Sequence, residues 1–397
     1  MSWLESALMY QIFIDRFAGY DPAKDWRVPD FMGGNLRGII DKFDYIESLG
    51  VNALWLSPFY KGTQFHGYEI TDFMSVDERF GTEADLKELI DLAHSRGMKI
   101  IADSVPNHVA SQHPYFIDAQ TNPESPYRDW FIFRKWPNNY VCYQFFDTLP
   151  KLNLNNPDAL AYMQASARKW LELGLDGYRI DHIIGLSNKN VSDLFSPLKH
   201  EFPDAVFFGE AAMFGADGDP ASSRSSFSGL STVRIPRRYI GWALKQRGLN
   251  MIMRNYMGML DGMLDFYFAY QMVQYAKTNN PRRREQIAVS LKRRAQKFPA
   301  DFSLVYFLDN HDLTRYLFRT NGDIATLLSA IEVMLSLRGA KVIYNGTEVG
   351  VSQEKSFRET KEHPDIQARK PMPWNEVDQN TALLAEFKKL VENSKAE

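Results

Sequence analysis

Eight short apolar runs, separated by amphipathic stretches, constrain the fold of this chain more than any other feature. The runs occupy residues 10–15, 51–57, 99–105, 175–181, 205–210, 263–268, 304–310 and 341–346. Short runs that are continuously apolar are typical of strands buried on both faces, as in a parallel sheet. With 397 residues, of which 45% are hydrophobic, the chain is long enough to enclose such a sheet in one large core.

The stretches between the runs repeat apolar residues at helical spacing, most clearly in residues 36–50, 82–97, 159–174, 325–339 and 381–394. Thr82 is a candidate N-cap with Asp85 three residues later, and Gly97 can end that helix. Strand followed by helix, eight times, predicts an α/β fold and specifically a closed (β/α)8 TIM barrel. An open, doubly wound sheet is the competing architecture. The absence of a Gly-rich phosphate loop after the first run disfavours its nucleotide-binding forms.

Residues 109–156 interrupt the alternation, because they carry Pro, Asn and aromatic residues without a long helical pattern. We therefore predict a small subdomain inserted after the third strand, residues 109–156, and a barrel made of residues 1–108 and 157–397. The insertion would overhang the C-terminal mouth of the barrel. Its aromatic rings suit stacking on sugars, or packing against one another, and composition does not choose between the two.

Composition excludes several kinds of partner. The chain has 46 basic and 49 acidic residues, a net charge of −3, and no charge block typical of nucleic-acid or membrane binding. It has no signal-peptide pattern and no apolar stretch of about eighteen residues. Its single cysteine, Cys142, agrees with a reducing compartment, so we predict a cytoplasmic protein with no membrane or nucleic-acid partner. The basic runs 282–284 and 292–294 are interpreted as a solvated helix face.

Charged and imidazole side chains stand at the ends of four of the apolar runs. They are Asp103 and His108, Arg179 and Asp181, Glu210, and His311 and Asp312. Positions two apart in a strand point the same way, so Arg179 and Asp181 share one face. The carboxyl ends of barrel strands converge, so we expect Asp181, Glu210 and Asp312 to meet in one pocket. His108, His311 and Arg179 would lie in the same pocket.

Carboxyl groups, imidazoles and an arginine in one pocket suit cleavage of a glycosidic bond by two carboxyl groups. A divalent-metal site is the main rival interpretation, since Asp and Glu clusters bind Mg²⁺ or Ca²⁺. The arginine within the cluster argues against it. Solvated ion pairs on exposed strands are the structural alternative, and their occurrence at four strand ends disfavours it.

The same residues resemble glycoside hydrolase family 13, the α-amylase family, across essentially the whole chain. The motifs are DSVPNH (103–108), GYRID (177–181), FFGE (207–210) and FLDNHD (307–312). Supporting matches are YQIFIDRF (10–17), GVNALWLSP (50–58), HGYEITDF (66–73), DERFGT (77–82), LPKLN (149–153) and YNGTEVG (344–350). With lysine at 151, LPKLN most resembles the neopullulanase, cyclomaltodextrinase and maltogenic amylase branch.

The resemblance implies a role for each site residue. Asp181 would be the nucleophile, Glu210 the general acid and then base, and Asp312 the third carboxylate, which stabilises the transition state. The substrate-binding residues would be Tyr68, His108, Arg179 and His311, with His182 on the acceptor side. Arg179 is expected to keep Asp181 ionised, whereas Glu210 must be protonated when it donates. The implied reaction is double displacement with retention, which needs a carboxyl separation of about 5–5.5 Å.

The resemblance also implies a substrate: the α-1,4 linkages of malto-oligosaccharides or cyclodextrins, cleaved by a retaining α-glucan hydrolase. A 4-α-glucanotransferase with the same catalytic residues is the alternative, and a non-catalytic glucan-binding relative is disfavoured because all three carboxylates are present. Sucrose, trehalose and α-1,6 specificities stay open, as does the oligomeric state.

Two further expectations concern metal and domain content. No cofactor is expected to be required, although Asn107 resembles a calcium ligand of many relatives and makes calcium a candidate. The β-sandwich that normally follows the barrel in this family is expected to be absent, since the chain ends after the eighth helical pattern.

Overall fold

A closed barrel of eight parallel strands organises the computed structural model, which describes residues 2–144, 146–211, 242–360 and 363–396. The barrel strands are β1 (Leu8–Ile12), β2 (Ala53–Leu56), β3 (Lys99–Ser104), β4 (Gly177–Ile180), β5 (Val206–Gly209), β6 (Gly262–Leu264), β7 (Ser303–Phe307) and β8 (Ala340–Tyr344). Each strand pairs in parallel with its neighbours in sequence, and β1 pairs with β8 to close the barrel. The predicted (β/α)8 architecture is confirmed.

Helices surround the barrel and fill the connections. They are α1 (Ile14–Phe17), α2 (Leu36–Asp41), α3 (Phe43–Ser48), α4 (Glu83–Ser95), α5 (Pro114–Thr121), α6 (Pro157–Leu173), α7 (Asn188–Glu201), α8 (Trp242–Asn255), α9 (Phe266–Lys277), α10 (Pro281–Ala295), α11 (Tyr316–Arg319), α12 (Ile324–Leu335) and α13 (Thr381–Ala396). Short 3₁₀ helices cover Trp3–Ser6, Arg128–Trp130, Ile183–Gly185, Thr347–Val349, Pro364–Arg369 and Glu376–Asp378. The predicted capping box of α4 is present, since Thr82 and Asp85 each accept the other's backbone N–H.

Three predicted elements differ from the structure. The first predicted strand, residues 10–15, ends at Ile12, and α1 begins at Ile14. The helical pattern over residues 36–50 forms two helices, α2 and α3, that meet at Lys42, whose N–H bonds to the carbonyls of both Gly38 and Ile39. The sixth predicted strand was extended too far. Asp265 caps α9 by accepting the N–H of Phe268 at 3.1 Å, so the apolar residues after it are helical. A short, fully buried apolar run looks the same in a strand and in a buried helix.

The segment between β3 and α6, residues 105–156, is called the excursion below. It contains α5 and two small antiparallel strand pairs. The pairs are Phe133–Lys135 with Asn139–Tyr140, and Cys142–Tyr143 with Phe146–Pro150. A third pair, Tyr60–Gly62 with Ile70–Val76, follows β2. An isolated bridge between His108 and Lys151 ties the end of the excursion to the loop after β3, so this segment lies against the mouth of the barrel.

The basic helix α10 is only partly solvated. Arg282 and Arg293 are exposed, as predicted, but Arg294 is 7% exposed and the prediction is wrong for it. Its guanidinium forms a buried ion pair with Asp265 and lies 4.3 Å from the ring centre of Tyr267. Across the described part of the chain, the helices are too short or too polar to traverse a bilayer.

Strand register sets the polar centre of the barrel. Arg179 of β4 lies directly beside Asp103 of β3 and beside Phe208 of β5. Trp55 of β2 donates its indole N–H to Asp103 at 2.8 Å, and its ring meets Phe208 edge-on at 5.8 Å. Buried aromatic rings therefore form the layer on which the charged side chains stand.

Candidate active site

A single buried guanidinium joins three of the strand-end carboxyl groups. Arg179 is fully buried, and its Nη1 atom donates to Oδ1 of Asp181 at 3.0 Å. The same atom lies 3.2 Å from Asp103, and Nη2 lies 2.7 Å from Oε1 of Glu210. Asp181 follows β4 directly and Glu210 follows β5, so adjacent strands bring both predicted catalytic carboxyl groups to one arginine.

Burial and Arg179 act on Asp181 in opposite directions. Burial raises the pKa of Asp181 and outweighs the opposing effect of Arg179; Glu210 and Asp103 add to the increase. Arg179 therefore favours the ionised form of Asp181, as expected, but does not cancel the effect of burial.

Tyr68 links this cluster to the opposite side of the mouth. Its hydroxyl donates to Asp103 and lies 2.8 Å from Nε2 of His311 and 3.4 Å from Nη1 of Arg179. The rings of Tyr68 and His311 are parallel, with an interplanar angle of 8° and centres 5.4 Å apart. The turn between Tyr60–Gly62 and Ile70–Val76 thus delivers Tyr68 over the ends of β3 and β4.

Asp312 completes the set from the loop after β7. Its Oδ2 lies 3.0 Å from Nε2 of His311, and its Oδ1 accepts from Nη2 of Arg369 at 2.9 Å. Burial opposes ionisation of Asp312, but the hydrogen bond from His311 and the positive charges of Arg369 and Arg179 outweigh it and hold its pKa below the usual value. Asp312 is therefore an ionised carboxylate at neutral pH.

The two remaining predicted substrate-binding residues are His108 and His182. Both contact Tyr143 of the excursion. The Tyr143 ring centre lies 4.9 Å from that of His108 and 4.6 Å from that of His182, the latter edge-on. Burial lowers the pKa of His108 to about 3 and that of His182 to about 4, with smaller contributions from nearby cationic groups. Both imidazoles are neutral at physiological pH and can donate or accept one hydrogen bond at each nitrogen.

All eight predicted site residues lie in this mouth, but sequence reasoning missed four of their neighbours. Asp103 and Gln11 stood within the quoted motifs DSVPNH and YQIFIDRF and were not assigned to the site. Tyr143 was one of many aromatic residues in its segment. Arg369 stands in an irregular stretch near the last helix, where no periodicity or motif marks it.

The surroundings of Asn107 do not suit calcium. Its Oδ1 atom is buried without a hydrogen-bond partner in the described structure, and a Cβ on Gly185 would come within 2.2 Å of it. The ammonium of Lys151 donates to the carbonyl oxygen of Gly185, so a cation already occupies this corner. In the described ranges, no cluster of three or more His, Cys, Asp or Glu side chains could hold a metal. Divalent ions prefer several anionic oxygens, which this corner lacks.

A closed parallel barrel with an acidic cluster at the carboxyl ends of its strands defines a class of (β/α)8 proteins with a site at the mouth. Within that class, a sequence model of the "Alpha amylase, catalytic domain" matches residues 11–391, and the chain belongs to the α-amylase family, glycoside hydrolase family 13. The predicted resemblance is confirmed.

Two curated relatives match nearly the whole of this chain. Alpha-amylase 2 of Dictyoglomus thermophilum is 32% identical over 99% of this chain and 64% of its own length. Neopullulanase 2 of Thermoactinomyces vulgaris is 29% identical over 98% of this chain and 62% of its own length. This chain thus spans a little under two thirds of these curated relatives.

A solved structure has the same fold as this chain. The cyclic α-maltosyl-(1→6)-maltose hydrolase of Arthrobacter globiformis, in complex with the sugar of that name, superposes with a TM-score of 0.79 at 27% identity. The match covers 98% of this chain and 82% of that one.

Proposed function

We propose that the chain is a retaining α-glucan hydrolase that cleaves α-1,4 linkages of malto-oligosaccharides or cyclodextrins. The observation that carries the proposal is the contact of Arg179 with both Asp181 and Glu210 at the ends of adjacent strands. Membership of the α-amylase family supports it, as do the names of the relatives, which include a cyclomaltodextrinase from a Bacillus species at 29% identity.

In the first step, an Oδ atom of Asp181 attacks the anomeric carbon and the bond to the glycosidic oxygen breaks. Glu210 gives its proton to that oxygen as it leaves. The guanidinium of Arg179 lies between the two groups and contacts both of them. As negative charge moves from Asp181 into the new ester bond, Arg179 remains paired with Glu210 and Asp103.

In the second step, Glu210 takes a proton from water, and the water oxygen attacks the anomeric carbon and releases Asp181. If the hydroxyl of a second sugar replaces water, the same step makes the enzyme a 4-α-glucanotransferase. The ionised Asp312 faces the mouth, where it would stabilise the positive charge that develops on the sugar ring. His108 would bind a sugar hydroxyl at the mouth, where it lies beside Tyr143.

Proton NMR of the enzyme with maltotetraose, combined with chromatography of chain lengths, tests this proposal. We expect net growth of reducing ends, with α-anomers appearing before mutarotation. Redistribution into shorter and longer chains without that growth would establish the transferase instead. Release of β-anomers would overturn the retaining mechanism.

Two variants make the result specific to the proposed site. Asp181→Asn should be inactive, while Asp91→Asn, which changes an exposed aspartate paired with Lys87, should behave like the wild type. Retained activity in a folded Asp181→Asn protein would contradict the assignment of Asp181 as the nucleophile.

We also propose a reducing, intracellular location. The single cysteine is half-buried, and a relative at 29% identity is an intracellular maltogenic amylase of Bacillus subtilis. Fractionation of the native host tests this location. Detection of the enzyme outside the cytoplasm would contradict it.

A further inference from the structure

Gln11 is a buried amide below the site that the proposed reaction does not use. It lies on β1, is 1% exposed, and its Nε2 atom is 2.9 Å from Nδ1 of His311. Its amide oxygen is buried with no hydrogen-bond partner in the described structure. An unsatisfied buried oxygen costs about 1–3 kcal/mol.

The other nitrogen of His311 faces two oxygens. Nε2 lies 2.8 Å from the hydroxyl of Tyr68 and 3.0 Å from Oδ2 of Asp312. Tyr68 has one hydroxyl proton, and it donates that proton to Asp103. The Tyr68 oxygen can then only accept from the ring, and a carboxylate also only accepts. Nε2 must therefore carry a hydrogen.

With a hydrogen on Nε2, the second nitrogen of His311 is either an acceptor in a neutral ring or a donor in an imidazolium. The amide N–H of Gln11 matches only the acceptor. The guanidinium of Arg369, which donates its Nε–H to the His311 carbonyl at 3.1 Å, also disfavours a second positive charge nearby.

We infer that Gln11 is a positioning residue that fixes His311 as the neutral, Nε2-protonated tautomer, so that the ring donates to Asp312 and adds no positive charge beside it. The effect of Gln11 on turnover depends on the proposed function, in which Asp312 is the carboxylate that stabilises the transition state. The tautomer of His311 does not depend on the proposed function, since it is set only by the hydrogen-bond partners of the ring.

Nitrogen NMR of protein with ¹⁵N-labelled histidine tests the tautomer without any substrate, with His311→Asn identifying the signals of residue 311. We expect the wild-type ring to show a protonated Nε2 and an unprotonated, hydrogen-bonded Nδ1. In Gln11→Glu the new carboxylate should make Nδ1 protonated as well. In Gln11→Met the Nδ1 signal should move, because its lone pair loses the donor. A wild-type imidazolium or Nδ1-protonated tautomer, or unchanged signals in both variants, would overturn the inference.

Kinetics on the proposed substrate provide the second readout. We expect Gln11→Glu to lower kcat by about tenfold or more with little change in KM, since an imidazolium beside Asp312 would offset the negative charge with which that carboxylate stabilises the transition state. Gln271→Met, the same substitution at another buried glutamine, away from the mouth on α9, is the matched control for Gln11→Met and should leave kcat unchanged. Wild-type kcat in Gln11→Glu would contradict the inference. If the wild type cleaves no α-glucan, the proposed function fails and the NMR result still decides the tautomer.

Discussion

Arg369 holds Asp312 from the side opposite His311: its Nη2 atom donates to Oδ1 of Asp312 at 2.9 Å, while Oδ2 faces the imidazole. The same guanidinium donates through Nε to the His311 carbonyl and forms an ion pair with Asp365 through Nη1. One side chain therefore fixes both the carboxylate and the backbone beside it.

Replacing Arg369 by lysine should lower kcat by about tenfold or more, because one ammonium cannot make three directed contacts in the plane of a guanidinium. Steady-state kinetics on maltotetraose measure this. Arg338→Lys changes an arginine that pairs with Glu5 at the surface and should be neutral. Equal kcat in the two variants would show that the planar contacts do not matter.

Asp181→Asn should lower kcat by more than about a thousandfold and should also change how stability depends on pH. Burial raises the folded-state pKa of Asp181, so its contribution to stability is present below the unfolded pKa and is lost as pH rises through the folded value. The variant cannot lose a proton there. Denaturant unfolding from acidic to neutral pH should therefore show that the free energy of unfolding of the variant falls less with rising pH than that of the wild type. A parallel pair of curves would contradict the direction of the shift.

His182→Gln should reduce the loss of stability in acid. Burial lowers the pKa of His182 to about 4, so the unfolded chain binds a proton first and stability falls as pH drops below the unfolded value of about 6.5. The difference corresponds to on the order of 3 kcal/mol when the histidine is fully protonated. Urea unfolding at pH 7 and near pH 4 measures it. His200→Gln on α7 is a suitable control, because that side chain is exposed.

Removing calcium should leave the melting temperature unchanged, because Lys151 supplies the positive charge beside Asn107 and Gly185. Calorimetry with a chelator and with millimolar calcium tests this. Lys151→Met should lower the free energy of unfolding by about 1–3 kcal/mol, since it leaves the buried Gly185 carbonyl without its donor. A lower melting temperature of the wild type in chelator would contradict the first expectation.

Tyr143→Ala should change the choice of acceptor more than the cleavage step. The ring lies edge-on to His182 and carries Phe146, which is 53% exposed, stacked at 6.1 Å on its outer side. We expect a higher KM for longer substrates and a changed ratio of transfer to hydrolysis, with Tyr143→Phe close to the wild type. Product analysis by chromatography separates these effects. An unchanged ratio in Tyr143→Ala would exclude an acceptor role.

Much of this arrangement was predictable because a parallel barrel needs apolar strands and collects the polar residues that follow them. That logic located Asp181, Glu210 and Asp312 near one another. It could not locate Arg369, because its segment has no regular periodicity and reaches the mouth only through tertiary packing. It also could not show that Arg179 is shared, since strand alternation pairs Arg179 with Asp181 but says nothing about Glu210 on the next strand.

The pairing of β1 with β8 has a consequence for how the chain acquires its site. Residues Leu8–Gln11 stay unpaired on one edge until Lys341–Tyr344 have been synthesised and docked. Contacts between residues so far apart in sequence form slowly. Until β1 pairs with β8, the open parallel sheet exposes its strand edges. During synthesis, Gln11 can meet His311 only after most of the chain has left the ribosome. Both β1 and β8 are therefore needed at once, and deletion of either strand should produce aggregation rather than a smaller working barrel.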